Sequence, residues 1–141
     1  MKFDPAVEAQ AALRRGQQSA ELGEDLATAL KAEETFSAEM GEPAKAAYQT
    51  LQEIGDRYPE AVAFQEFLIY LSWQQVMAEP LPIYFQRGVE LCDRYLNLHR
   101  NTADKRQIGQ IQELRASFRG GLGLVKDQPE MYEEDTVKGG D

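Results

Sequence analysis

The chain has one cysteine and one histidine in 141 residues, and that scarcity excludes much chemistry. A lone Cys92 has no partner for a disulfide within the chain and cannot anchor a cysteine-based metal site, which fits a reducing cytoplasm. On an apolar helical face it reads as a small hydrophobe. His99 has neither a nucleophile nor an orienting carboxylate assignable beside it, and at a helix end it reads as a partner for the helix dipole. Glu33, Glu34, Glu39 and Glu42 lack the Glu-x-x-His pairs of a di-iron bundle. Glu130, Glu133, Glu134 and Asp135 lack the alternating ligands and turn glycine of a calcium loop. No glycine-rich phosphate loop is present. No catalytic residue, metal or cofactor is therefore expected.

Positive charge is also in deficit. The chain carries 15 basic against 24 acidic residues, a formal net charge of -9, which repels a phosphate backbone at long range. The basic run around Arg94, Arg100, Lys105, Arg106, Arg115 and Arg119 is interleaved with Asp93, Asp104 and Glu113 and has no aromatic stacking platform, so it reads as a solvated mixed-charge face and not a nucleic-acid interface. No apolar run spans a bilayer, because residues 61–77 include Gln65, Glu66, Ser72, Gln74 and Gln75. Asp4 and Glu8 interrupt the segment where a signal peptide would need its apolar core, so export by that route is not expected. The alternation of a half-buried strand is missing throughout.

What remains is helix. Asp4 is placed as an N-cap and Pro5 as the first helical residue of a segment of strong helix formers reaching Met40. Gly16 and Gly23 each cost about 1 kcal/mol relative to alanine, so the segment bends or splits near Gly23. Large apolar residues are sparse before Leu22, while Leu22, Leu26, Ala29, Leu30, Phe36 and Met40 form a stripe. Residues 1–22 are therefore expected to project as a helical extension, with a single all-helical domain over 23–119 and a flexible acidic tail over 120–141.

Gly41 and Pro43 stop one helix and restart another, expected over residues 44–58 and ended by Pro59. The next, 60–78, is apolar around most of its circumference and must be covered on more than one side. Pro80 and Pro82 break the chain before a helix over 83–98. Asn101 or Thr102 is positioned to cap a last helix, 103–118, which Gly120 and Gly121 would end. The fold class is all-α, with five to six antiparallel helices.

Within this pattern one spacing is specific. Ala47, Leu51, Ile54 and Pro59, with Tyr58 preceding the proline, resemble the second helix of a tetratricopeptide repeat, where a small residue admits the paired helix and larger ones fill the groove. Gly88, Cys92 and Tyr95 repeat the spacing, but Arg100 stands where the proline would be. The preceding helices depart from the family, offering Lys31, Glu34, Thr35 and Ala38, then Gln65, Leu68, Ile69 and Ser72. The resemblance covers about residues 24–98 and implies stacked helical hairpins. The alternative is an irregular helical bundle.

Such a scaffold implies a non-enzymatic protein-binding module. It would be an acidic adaptor or chaperone-like protein that takes a basic or amphipathic partner helix or peptide into a groove between hairpins. Tyr70, Trp73 and Tyr84, near the ends of the inward arc, are the candidate groove residues; alternatively they seal the hairpin interface. A second reading is a self-associating subunit, a homo-oligomer joined through the polar stripe of residues 7–20. A third is a ligand-binding bundle.

Overall fold

A computed structural model describes residues 1–126. Among them are six α-helices, a single 3-10 turn and no strand. The helices are α1 (Pro5–Gln18), α2 (Leu26–Ala38), α3 (Glu42–Arg57), α4 (Val62–Ala78), α5 (Pro82–His99) and α6 (Lys105–Val125), with the 3-10 turn at Gly23–Asp25 before α2. The expected flexible tail lies outside the described residues from 127 onward.

Local signals set most boundaries. Asp4 Oδ1 accepts from the Ala6 amide at 3.0 Å, and Pro5 opens α1. Gly41, at φ 68°, takes a conformation other residues avoid and lets α3 start after only three intervening residues. The cap of α6 is Asp104, not Asn101 or Thr102: its Oδ2 accepts from the amides of Arg106 and Gln107. Thr102 and Ala103 instead donate to the His99 carbonyl and form the turn.

Neighbouring helices pair as antiparallel hairpins, α2 with α3, α4 with α5, and α5 with α6. The most extensive contact joins α1 to α4, which are not sequence neighbours. Twelve of the seventeen α4 residues are buried, so this helix is covered by α1 and α5 and, at smaller contacts, by α3 and α6.

The expectation that the N-terminal segment projects is thus corrected. Ala9, Ala12, Leu13 and Gly16 of α1 are buried. A face with few large side chains brings two helix axes close, so its small residues pack against α4 where bulk would hold them apart. Polar contacts fix the docking: Arg15 Nη2 lies 2.6 Å from Glu66 Oε1 on α4, and Arg106 Nη2 of α6 lies 2.6 Å from Glu8 Oε2. Gln10 donates to Glu33 of α2 at 2.6 Å. Just beyond α1, Glu21 accepts from the Ala63 and Phe64 amides at 3.0 and 2.9 Å. A carboxylate from another element thereby caps the amino end of α4, whose own N-cap residue, Ala61, has no side-chain acceptor.

Gly120 and Gly121 do not end α6, which continues to Val125. The reason is packing between α5 and α6. The Phe85 ring of α5 seats on Gly121, and the Phe118 ring of α6 seats on Gly88; a Cβ at either glycine would overlap the ring above it. Two phenylalanines and two glycines interlock reciprocally, so Gly121 serves close approach and not termination.

Two predictions follow from this packing. Gly121→Ala will destabilise the protein by about 1–3 kcal/mol despite alanine's better helix propensity, whereas Gly109→Ala, on the same helix with open space around it, will stabilise it by about 0.5–1 kcal/mol. Urea unfolding of both variants checks the contrast, and equal effects would contradict the ring-on-glycine packing. Glu21→Ala will cost about 1 kcal/mol through the lost α4 cap, with Glu21→Gln losing less because it keeps an acceptor.

Candidate functional site

The three aromatic residues expected to line one groove each pack against a different aromatic partner. Tyr70 is fully buried: its hydroxyl donates to Gln107 Oε1 at 2.6 Å and accepts from Gln110 Nε2 at 2.7 Å, and Phe3 packs edge-on against its ring. Trp73 packs edge-on against Phe118 of α6, with centroids 5.3 Å apart. Tyr84 packs edge-on against Tyr48 of α3 at 5.7 Å. Tyr70 and Trp73, one turn apart on α4, contact α6, and Tyr84 contacts α3; Tyr70 is fully buried, Trp73 and Tyr84 half-buried. They seal helix interfaces.

The residues of the spacing pattern are packing residues in the same sense. Ala47, Leu51 and Ile54 are buried on α3, and Gly88, Cys92 and Tyr95 on α5. Tyr58 donates to Asp25 Oδ2 at 2.6 Å, a hydrogen bond that raises its phenol pKa above the usual range. The Pro59 carbonyl accepts from His99 Nε2 at 3.0 Å; a carbonyl cannot donate, so this nitrogen carries the proton. Burial pushes the Cys92 thiol far above its ordinary pKa and leaves it unreactive.

Three residues of the basic run, Arg94, Arg106 and Arg115, stand in ion pairs. Arg87 and Arg94, seven residues apart on α5, both reach Asp56 of α3, at 2.7 and 2.9 Å. Burial alone would raise the Asp56 carboxyl, but the hydrogen bonds from Arg94 and Arg87 outweigh it and hold the carboxyl below the usual range. Arg115 pairs with Asp93, and Arg106 with Glu8. The cleft of about 500 Å³ between α5 and α6 is lined by the paired Asp93 and Arg115 together with Leu96, Asn97, Arg100 and Gln112, a predominantly polar surface.

A more apolar groove of about 400 Å³ lies where the α2–α3 turn meets the carboxyl end of α4. Phe36, Met40, Ala44 and Ala78 form its apolar surface, and Glu39, Lys45, Gln75 and Glu79 its polar rim. The sequence placed Met40 in the packing stripe. Instead α2 stops at Ala38, the chain turns at Gly41, and Met40 is left 86% exposed at the mouth. Gln75 Nε2 donates to Glu79 Oε1 at 3.0 Å and orients that carboxylate. Lys45 Nζ stands 3.9 Å from Glu42 and 4.0 Å from Glu79. The only advance sign of this groove was an apolar residue beside a glycine-proline restart, which does not show that α4 ends alongside.

Among the described residues no cluster of histidine, cysteine, aspartate or glutamate is arranged to hold a metal ion, and no helix is long and apolar enough to cross a membrane. No known protein family matches this chain, nor does any curated protein or solved structure.

The buried phenols make a pH prediction. Burial pushes Tyr48 up to about 12, and burial also raises Tyr70 and, with the Glu66 hydrogen bond, Tyr95. A raised phenol pKa favours folding while the phenol is protonated, so the contribution is complete below about pH 10 and is lost as pH rises through 12. Absorbance at 295 nm will show these phenols ionising only as the helical circular dichroism collapses. Ionisation of every tyrosine near pH 10 with the helices intact would refute their burial.

Proposed function

We propose that this protein is a non-enzymatic, acidic adaptor or chaperone-like module of the cytoplasm that binds a segment of another protein in the groove between its α2–α3 hairpin and the end of α4. The observation that carries this reading is Met40, 86% exposed at the mouth of a groove floored by Phe36, Ala44 and Ala78. A flexible, polarisable methionine beside an apolar depression suits an incoming side chain. The tetratricopeptide-like spacing of Ala47, Leu51, Ile54 and Pro59 supports the same reading, because hairpins of that kind present grooves between helices. Self-association through the N-terminal helix is the weaker reading, since Ala9, Ala12 and Leu13 are already buried against the rest of the chain.

The test is affinity capture of the tagged full chain from its native lysate, followed by reconstitution of any captured protein in purified form. One partner that binds the wild type and is at least tenfold weaker on Met40→Asp, with unchanged circular dichroism, is the expected result. Recovery of the protein alone, monomeric by light scattering, would overturn the reading.

A further inference from the structure

We propose that the groove takes a cationic amphipathic peptide segment, with an apolar side chain held over Phe36, Ala44 and Ala78 and flanking lysine or arginine residues held by Glu39 and Glu79. This rests on the protein-binding reading above and specifies its partner.

Charge around the mouth is the first argument. Glu39, Glu42 and Glu79 stand there against one cation, Lys45, which already lies between Glu42 and Glu79. Helix direction is the second. Both α2 and α4 end at this groove, at Ala38 and Ala78, so the negative ends of two helix dipoles face it. The amino end of α3 is also at the rim, but Glu42 in its first turn answers that positive end. The fields at the mouth therefore sum to attraction for cations.

Size is the third argument. About 400 Å³ is near the lower end of the range for binding pockets, enough for an anchor side chain or two and not for a whole helix. Affinity would then come from one or two buried apolar anchors, with the carboxylates setting orientation and excluding acidic competitors. The net charge of -9 draws a basic segment toward the protein at long range. The same charge disfavours other occupants. A second copy of the chain would bring its own -9, and residues 127–141 carry six acidic residues against the single Lys138.

The experiment uses the full chain labelled with 13C at its methionine methyls, four in all. The probe is a fifteen-residue synthetic amphipathic peptide of leucine and lysine. Two controls accompany it, one with glutamate for lysine and one with serine for leucine. The Met40 methyl resonance should shift with the leucine-lysine peptide, while that of Met77, exposed but outside the groove lining, should not. Affinity should fall about tenfold in the Glu39→Gln/Glu79→Gln double variant, the sum of two partly exposed charge pairs, and should fall with rising salt. Binding without movement of Met40, or equal binding of the glutamate peptide, would overturn the proposal. So would an absence of binding. If a captured partner still depends on Met40 in that case, the protein-binding reading survives and only the cationic specificity fails; if no partner is captured either, both fail.

Discussion

The carboxylate of Glu66 is the interaction on which the arrangement of helices depends. It lies on α4, 2% exposed, with Arg15 of α1 at one oxygen and the Tyr95 hydroxyl of α5 at the other, 2.5 Å away. A buried carboxylate stripped of its partners costs several kcal/mol. Helix α4 can therefore be buried at Glu66 only with α1 and α5 both docked, and only in the register that delivers those two side chains. Apolar burial alone would not choose among neighbours, since α4 is apolar around most of its circumference. One turn further on, Tyr70 makes the same demand of α6 through Gln107 and Gln110.

A second polar chain performs the equivalent task on the α3 side. Tyr48 and Gln52 of α3 both reach Ser72 of α4, at 3.2 and 3.4 Å, and Gln52 accepts from Arg87 of α5 at 2.9 Å. Gln65 of α4 donates to the carbonyls of Gly55 and Tyr58, and accepts from Arg94. These bonds hold α3 and α5 on either side of α4 while polar side chains bridge over it. The groove at the α2–α3 turn is in consequence mounted on a braced base: Lys45 and Ala44 on α3, Gln75 and Ala78 on α4, with Phe36 packed toward Tyr48. A rigid support lets a small apolar depression bind without first paying to order itself.

Much of this was legible along the chain. The caps at Asp4 and Gly41, the break at Pro80 and Pro82, and the all-round apolar character of residues 60–78 are local signals, and the helices they define are present. Errors arose where a residue served a distant partner. Gly121 looks like a terminator until Phe85 is seen above it. Ala9, Ala12 and Gly16 look like weak packing residues until α4 is alongside, and Glu66 looks like a polar blemish in an apolar run until Arg15 and Tyr95 arrive. Tyr70 looked available because its position on the arc says nothing of a helix 37 residues away.

By itself the sequence determined the all-helical class, a count of five to six helices and several of their ends, because hydrophobic period, capping side chains and prolines act within a few residues of where they stand. Only the tertiary structure decided which helix covers which face of α4, that α1 belongs to the core, and that Met40 is left at an open mouth. Those outcomes depend on pairing polar groups and seating rings across tens of residues, and on where two unrelated helices end side by side. Periodicity within one helix carries no information about either.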